Sequence, residues 1–451
     1  MGRGPLAAVL FTLLYLAFPT REYYWDGVNF AIQIETTRDW HKFFSVHHLF
    51  YDFVGDAEYR LAGARIRVLY LLQWTNCIAG GLLLGLTYRL FRSFDVPVPN
   101  CAACIAIAGA SATFWKFTTD VDSYILANIF LVSTYLSLNR SPVRGAFLHV
   151  CAMMMHQVSA LFYPVGLVLI WRRSREHFWR DAALYTLISA GGTLAIYAIA
   201  FRLTTAREAP TFLGWVTFHA DLPFSFSLVS SSRWLALGTG RLLIGGKLSK
   251  AAYIVGPLSA IFIGFAAAGF VRHRSRFRSV LPVWPLLVWI LVYAAFLLFW
   301  EPHGTVYRIF YLIPLVGLLA VATRTLAARP LVYLACALLC WNFSQFIYPK
   351  TRVENNLPLA AALEQRKNWP QGTAVIFGEF VPDLWTIRYF NPQVTWIAID
   401  TPNPAQVAAY SARVERDGGR VYLDWTYLQR SGQSVPRFTF QRVERSTHTL
   451  K

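Results

Sequence analysis

The chain has 451 residues, of which 55% are hydrophobic and only 15% are Asp, Glu, Lys or Arg. Soluble globular domains carry about a quarter charged residues, so this composition, with a mean hydropathy of +0.40, excludes an ordinary soluble domain and a disordered chain. The net charge of +18 would suit a nucleic-acid partner, so the positions of the basic residues must decide that question. We interpret the chain as a membrane protein.

Apolar runs long enough to cross a bilayer recur along the first 349 residues. Nine of them predict full spans, over residues 5–19, 66–88, 99–115, 122–138, 182–203, 251–271, 281–300, 306–323 and 330–348. A further apolar stretch, 146–171, has basic clusters at both ends, which a single crossing would place on opposite sides. We predict a pair of short half-helices that break near His156 and Gln157 and return the chain to its starting side.

The basic residues predict the orientation in the membrane. Short segments on one predicted face carry 15 of the 42 Lys and Arg residues, whereas the two short opposite loops contribute only Lys116. The positive-inside rule therefore predicts a cytoplasmic N-terminus and three long segments outside, over residues 20–65, 204–250 and 350–451. Because much of the positive charge is explained by the orientation of the chain in the membrane, no nucleic-acid partner is expected.

The sequence changes character after Pro349. Short buried strands alternate with helical segments, a pattern typical of a small α/β domain. The predicted strands cover 373–378, 394–399 and 420–424, and the predicted helices cover 380–390 and 404–416. We therefore predict two domains. Residues 1–349 form a multi-spanning transmembrane domain with a large first outer loop, 20–65, and residues 350–451 form a small extracytoplasmic α/β domain.

Carboxylates beside the outer membrane boundary mark a candidate site, because they are costly there unless solvated or paired. Asp26 follows the first span after three aromatic residues, and its alternative role is the N-cap of a helix starting at Val28. His47 and His48 lie in an apolar segment expected at the interface. They could bind a metal with Asp26 or Asp122, and two interfacial imidazoles are the simpler alternative.

Asp120 and Asp122 stand at the start of the fourth predicted span. One of them is expected to cap its helix. The other is then available for a metal, a sugar hydroxyl or Lys116, which lies one turn earlier. His156, at the predicted helix break, is expected to line a cavity or to form an interhelical hydrogen bond.

Glu301 and Arg308 flank a very short outer loop. Arg308 lies just inside the following apolar run, where a snorkelling arginine is common. Glu301 could pair with it. A guanidinium at the membrane surface also suits a phosphate, which it can hold through two parallel hydrogen bonds.

The order of these motifs resembles that of the multi-spanning GT-C-fold glycosyltransferases that use lipid-linked sugars, such as protein O-mannosyltransferases and aminoarabinose transferases. The resemblance covers roughly residues 5–325. Its motifs, in chain order, are YYWDG, HHLFY, DVDSYILANIF, MMMHQVSALFYP and YRIFYLIP. Gly27 stands where many members have a second acid, and His156 stands where a lysine is frequent.

The resemblance implies an enzyme of the plasma (inner) membrane that moves a sugar from a polyprenyl-phosphate carrier to an acceptor hydroxyl at the extracytoplasmic face. Asp26 would be the general base of an inverting displacement. Arg308, with Lys116 or His156, would stabilise the departing phosphate. The bilayer and the lipid-linked donor are the expected partners, and the acceptor is a glycan, a lipid or a protein.

Alternatives remain for the cofactor and for the class of function. A divalent metal bridged by Asp122 and His47 or His48 is an alternative to neutralisation by cationic side chains alone. A transporter or flippase of lipid-linked glycans would use the same cavity, although transporters often have two related halves, and the sequence has no internal repeat. A non-catalytic membrane scaffold would use the outer domain to bind a partner.

Overall fold

The computed structural model describes residues 3–37, 39–218, 227–246 and 283–443, and this part of the chain is mostly helical. The chain divides into two compact units. One, the helical unit, comprises Met1–Thr20 and Gln33–Pro349. The other, the C-terminal unit, comprises Arg21–Ile32 and Lys350–Lys451.

Most of the helices belong to the helical unit. Up to the first gap after residue 218, the helices are α1 (Arg3–Ala17), α2 (Trp25–Thr36), α3 (Tyr51–Leu61), α4 (Val68–Arg92), α5 (Val98–Ala110), α6 (Ala112–Thr118), α7 (Tyr124–Leu138), α8 (Pro142–Met155), α9 (Tyr163–Arg173), α10 (Phe178–Leu203) and α11 (Phe212–Val216). Beyond it they are α12 (Leu228–Leu243), α13 (Val283–Phe299), α14 (Ile309–Ala322) and α15 (Arg329–Lys350). The first residues of α2, through Ile32, belong to the C-terminal unit.

Three of the described helices, α4, α10 and α15, are long and apolar enough to cross a membrane, and α5 with α6 passes the same test as a pair bent by 69°. Shorter apolar helices lie at the other predicted spans, except 251–271, which is outside the described residues. A helix of 15 residues, such as α7, extends about 22 Å, less than the ~30 Å of a bilayer core. The number of full spans, about nine, therefore stays a prediction.

The predicted break near His156 is confirmed. α8 ends at Met155, His156 is extended with φ −153° and ψ 123°, and a 3-10 turn over Gln157–Phe162 leads into α9. Buried His149 secures this turn, because one ring nitrogen lies 2.9 Å from the carbonyl oxygen of Ser159 and the other 2.7 Å from the Tyr185 hydroxyl. The break is therefore held by hydrogen bonds to its own turn and to α10.

Small residues on α4 allow close helix packing. A Cβ on Gly81 would lie 1.7 Å from Oγ1 of Thr12, and one on Gly80 would lie 2.1 Å from Cγ2 of Thr118. Side chains at these positions would push α1 and α6 away from α4. Small residues at helix contacts are the usual device for such packing in membranes.

The C-terminal unit contains a four-stranded sheet of order β2-β1-β3-β4. Its elements are β1 (Thr373–Phe377), β2 (Thr395–Ala398), β3 (Arg420–Asp424), β4 (Phe440–Arg442), α16 (Leu357–Asn368), α17 (Pro382–Phe390), α18 (Pro404–Arg416) and α19 (Trp425–Arg430). β1 is parallel to β2 and β3, with Val375 opposite both Trp396 and Tyr422, and β4 is antiparallel to β3. The three predicted strands and two predicted helices are confirmed, whereas the short β4 was not anticipated.

The segment that follows α1 is attached to the C-terminal unit. The backbone N–H of Arg21 donates to the carbonyl of Lys350 at 2.7 Å, and the side-chain amide of Asn356 donates to the carbonyl of Arg21. Lys350 also forms an ion pair with Glu22. Asp26, the predicted base, therefore lies on a segment that packs with residues from the other end of the chain.

Candidate functional site

The loop between α6 and α7 carries two of the predicted site residues and is fixed by side-chain amides of α4. Nδ2 of Asn76 donates to the carbonyls of Asp120 and Asp122 at 2.9 and 2.7 Å. One turn earlier, Nε2 of Gln73 donates to the carbonyl of Thr119 at 2.6 Å. Because the loop is buried, these bonds satisfy backbone carbonyls that no helix or strand would pair.

Asp120 forms the expected ion pair with Lys116, and both side chains are buried. Asp122 is also buried, and its Oδ1 accepts the backbone N–H of Ser123 at 2.6 Å. α7 begins at Tyr124, and its N-cap residue is Ser123, which makes no side-chain capping bond. The prediction that Asp120 or Asp122 caps this helix is therefore wrong, since both residues precede the cap position.

The predicted histidines converge on this loop. Nδ1 of His48 lies 2.7 Å from Oγ of Ser123, and the rings of His48 and His156 meet edge to face at 4.7 Å. Nδ1 of His156 accepts the N–H of Val158 at 3.1 Å, so the neutral ring carries its proton on Nε2. Burial, with a smaller contribution from His47, lowers the pKa of His48 to about 3, so this ring is neutral at physiological pH.

No group of three or more His, Cys, Asp or Glu side chains in the described ranges is arranged to hold a metal. The alternative of a metal bridged by Asp122 and His47 or His48 therefore lacks an assembled set of ligands. Instead, Nδ1 of His47 lies 2.9 Å from Oε1 of Gln157, and Nδ1 of His48 is bonded to Ser123. These hydrogen bonds link the segment before α3 to the helix break at His156 and to the loop between α6 and α7.

Aromatic rings surround His156. Its ring centroid lies 4.8 Å from that of Tyr124, 5.3 Å from that of Phe310 and 5.8 Å from that of Tyr307. Tyr307 belongs to a 3-10 turn, Val306–Arg308, that leads into α14. The next residue along this turn is Arg308, so a single turn supplies both the ring beside His156 and the predicted phosphate-binding cation.

Arg308 is fully buried, which makes the alternative of a snorkelling arginine wrong. Its Nη2 donates to the carbonyls of Trp234, at 3.3 Å, and Pro302, at 2.5 Å. Its Nε and Nη1 have no hydrogen-bond partner among the described residues. The guanidinium lies against Gly238 of α12, where a Cβ would come within 2.2 Å of its Cζ. The glycine thus provides the space that the guanidinium occupies.

Glu301 does not form the expected ion pair with Arg308, although both residues are described. It remains a favourable electrostatic neighbour of Arg308, as is Tyr311, whereas Arg241 is an unfavourable one. Burial raises the pKa of Glu301, and the neighbouring His303 and Arg308 oppose this rise. The unpartnered Nε and Nη1 of Arg308 are therefore the atoms that an added anion could bind.

Asp26 lies in the first turn of α2, which begins at Trp25. The alternative in which Asp26 caps a helix starting at Val28 is therefore wrong. Its side chain is half-buried, and within the described chain it makes no hydrogen bond or ion pair. Burial raises the pKa of Asp26 to about 7. A carboxyl group with this pKa can exchange a proton near neutral pH, as a general base must.

An apolar cavity of about 800 Å³ lies elsewhere in the helical unit. It is lined mainly by aromatic and aliphatic side chains, which include Phe44, Phe50, Phe53, Met155 and Ile199. Met155 immediately precedes His156. The cavity therefore reaches the last residue of α8.

Several residues of this site were not singled out in the sequence. Ser123, Tyr307 and Arg241 become relevant only through contacts with residues far along the chain. Apart from these contacts, Asp52 of α3 is buried with neither carboxylate oxygen bonded in the described chain, and burial raises its pKa well above the usual range. In the sequence, these residues could have been suspected only because Ser123 follows Asp122 and Tyr307 precedes Arg308.

Over nearly its whole length the chain shares the multi-spanning GT-C fold with solved structures. The predicted resemblance to this fold is confirmed. A structure of ArnT from Cupriavidus metallidurans bound to undecaprenyl phosphate has a TM-score of 0.66 to this chain at 12% identity, over 98% of each chain. The apo state of the same protein has a TM-score of 0.65 at 13% identity, over 96% of each chain.

No protein-family model matches the sequence, and no curated protein matches it either. At 12–13% identity the structural similarity establishes the fold. A shared fold does not determine activity, which depends on the residues of the site.

Proposed function

We propose that the chain is a membrane glycosyltransferase that moves a sugar from a polyprenyl-phosphate carrier to an acceptor hydroxyl. The observation that carries the proposal is buried Arg308, whose Nε and Nη1 lack hydrogen-bond partners among the described residues. Among its neighbours, Tyr311 and Glu301 stabilise its charge, and the exposed Arg241 opposes it. A phosphate would accept two parallel hydrogen bonds from the guanidinium and stabilise this charge further. The similar ArnT structure was determined with undecaprenyl phosphate, which supports a lipid phosphate as the anion.

The apolar cavity supplies a place for the hydrocarbon tail of such a carrier. Its lining is almost entirely apolar, apart from Glu58. An isoprenoid chain gains about 25 cal/mol for each Å² of apolar surface that it buries. Because Met155 lines the cavity and His156 is the next residue, we propose that a tail in the cavity directs its phosphate towards His156.

Asp26 is the proposed general base. Its carboxylate would take the proton of the acceptor hydroxyl while the acceptor oxygen forms a bond to the anomeric carbon. The bond from that carbon to the carrier phosphate breaks, and the phosphate leaves with the electron pair. A single displacement of this kind inverts the anomeric configuration. The raised pKa of Asp26, about 7, suits proton transfer near neutral pH.

Three side chains are proposed to stabilise the departing phosphate. Arg308 would supply the positive charge, and Nε2 of His156 would donate a hydrogen bond, since its Nδ1 is already an acceptor. Lys116 is neutralised by its ion pair with Asp120, so it would act mainly as a hydrogen-bond donor. Such preorganised donors stabilise charge as it develops in the transition state.

The remaining predicted residues are proposed to position these groups and the donor. Asp120 holds Lys116, whereas Asp122, His47 and His48 hold the loop between α6 and α7 and the segment before α3 in place. Glu301 is proposed to influence Arg308 through its charge rather than through a direct ion pair.

The proposed location is the plasma (inner) membrane, with a cytoplasmic N-terminus and an extracytoplasmic C-terminal unit. Its support is the concentration of short basic segments on one predicted face. In this orientation Asp26 and the acceptor would both be outside the cytoplasm.

The test is a transfer assay with the purified full-length protein in detergent and polyprenyl-phosphate hexoses and pentoses as donors. Release of polyprenyl phosphate by the purified protein is expected of a glycosyltransferase, and its absence with every donor would contradict the proposal in favour of a flippase or a scaffold. Asp26→Asn should abolish release, and Arg308→Ala should weaken donor binding. Asp417→Asn and Arg413→Ala, at exposed positions of the C-terminal unit, are the matched controls.

A further inference from the structure

Four aromatic side chains of the C-terminal unit form a continuous row. The ring centroids of Tyr24 and Trp25 are 5.6 Å apart, those of Trp25 and Trp385 are 5.1 Å apart, and those of Trp385 and Phe380 are 5.3 Å apart. Trp25 is 40% exposed and Phe380 is 37% exposed. Large aromatic side chains are stabilised most when they are buried, so an exposed row of them needs an explanation beyond packing.

Two ion pairs border this aromatic row. Glu379, directly before Phe380, accepts a hydrogen bond from Arg430 at 3.2 Å, and both side chains are more than a third exposed. Asp383, two residues before Trp385, pairs with Arg437. Each cation has one carboxylate, so the border carries no net charge. Its planar groups can still donate and accept further hydrogen bonds.

The aromatic row lies where α/β sheets usually bind ligands. Phe377 ends β1, and Phe380 and α17 follow it directly. Arg430 lies on α19, which follows the parallel strand β3. In open sheets of this kind, ligands bind outside the carboxyl ends of the parallel strands.

We propose that the aromatic row binds a sugar ring of the acceptor, so that the acceptor is a saccharide. The inference rests on the proposed function, because it places the acceptor beside Asp26, the residue that follows Trp25. A pyranose presents a face of C–H bonds that can pack on the electron-rich face of an indole or phenyl ring. Its hydroxyls, at the edge of the same ring, can hydrogen-bond to the carboxylates and guanidinium groups of the border.

The other occupant for exposed aromatic residues in a membrane protein is the bilayer interface. The charges of the border favour the saccharide. Attraction to an anionic membrane surface requires an excess of Lys and Arg, whereas Arg430 and Arg437 are each balanced by a carboxylate. An uncharged ring with many hydroxyls fits this border better than anionic headgroups do.

The first experiment measures binding without turnover. The full-length protein in detergent is oxidised by hydroxyl radicals in the presence of maltotetraose, mannotetraose or galactotetraose, or after reconstitution in vesicles of phosphatidylethanolamine and phosphatidylglycerol. At least one tetrasaccharide should protect Trp25, Trp385 and Phe380 from oxidation but not Trp179, which is 82% exposed. Protection by vesicles alone would assign the row to the bilayer and overturn the inference, as would protection by neither probe.

The second experiment compares Trp385→Ala, Trp385→Phe and the control Trp179→Ala in the transfer assay with the protecting tetrasaccharide. Loss of the ring should raise the acceptor KM about tenfold and leave the donor KM unchanged, and phenylalanine should restore most of the affinity. Protection without donor turnover would contradict the proposed function and leave the saccharide surface standing. Transfer with an unchanged acceptor KM in Trp385→Ala would overturn the inference and leave the proposed function standing.

Discussion

The hydroxyl of Ser123 lies 2.7 Å from Nδ1 of His48, and this bond joins two segments separated by 75 residues of sequence. Ser123 is also held by the carboxylate of Asp122, through its backbone N–H. The loop between α6 and α7 and the segment before α3 are therefore connected at a buried point next to His156.

Removal of this bond should lower stability. Ser123→Ala leaves the neutral, buried His48 without the hydroxyl at Nδ1, and we expect the free energy of unfolding to fall by about 1–3 kcal/mol. Thermal unfolding in detergent measures the effect, with Ser344→Ala as the control, since that exposed hydroxyl donates to carbonyls of its own helix and accepts a bond from the neighbouring, exposed Gln345. Equal stability of the two variants would show that the Ser123–His48 bond contributes nothing.

The space around Arg308 should control donor affinity. Gly238→Ala would place a Cβ within 2.2 Å of the guanidinium carbon, so the guanidinium must move although its charge is kept. We expect the donor KM to rise about ten- to hundredfold. Gly240→Ala, on the same helix but with no atom within 4 Å of the added Cβ, is the matched control. If both variants bind the donor like the unmodified protein, Arg308 does not hold the phosphate.

The pH dependence of transfer should follow Asp26. A general base acts in its deprotonated form, and burial raises the pKa of Asp26 to about 7. The value of kcat/KM should therefore rise with pH up to about 7 and level off above it, falling about tenfold per pH unit below. His48, with a pKa of about 3, should add no step between pH 5 and 8. A flat profile across this range would argue against Asp26 as the base.

The C-terminal unit should become less stable as the pH rises from 4 to 7. Asp424 is buried, its Oδ1 accepts bonds from Thr426 and from the N–H of Tyr427, and its Oδ2 has no partner among the described residues. Burial raises the pKa of Asp424 from 3.8 to about 6. The folded state therefore holds the proton more tightly than the unfolded state, and up to about 3 kcal/mol of stability is lost as the pH passes through about 6.

Hydrogen exchange of the full-length protein, corrected for intrinsic rates, measures this loss in peptides that cover β1 and β3. Asp424→Asn keeps the acceptor oxygen and has no ionisable group at this position. The hydrogen-exchange protection of β1 and β3 in this variant should therefore not change between pH 4 and 7 through titration of residue 424. If protection in Asp424→Asn varies with pH as it does in the unmodified protein, Asp424 is not the cause of the loss of stability.

The sequence predicted the elements whose signal is local. The apolar runs that gave α4 and α10, the break at His156 and the strands β1 to β3 depend on residues next to one another in the chain. The Lys116–Asp120 pair was predictable for the same reason, since the two residues are one helical turn apart.

Features that depend on distant contacts were not predictable. The burial of Arg308 requires Gly238 of α12 and the carbonyl of Trp234, which lie about seventy residues earlier in the chain. The start of α2 at Trp25 similarly accompanies the packing of that ring on Trp385. A local sequence pattern can predict a helix cap or a snorkelling side chain. It cannot show which distant residues bury that side chain and exclude water from it.

The attachment of Arg21 to Lys350 and Asn356 has a consequence for dividing the polypeptide. A version cut after Pro349 would retain the helix that bears Asp26 but lose the residues that hold its beginning, so it should be inactive even if it inserts correctly. Co-expression of residues 350–451 as a second piece should restore transfer, because the segment 21–32 gives the separated piece a surface on which to dock.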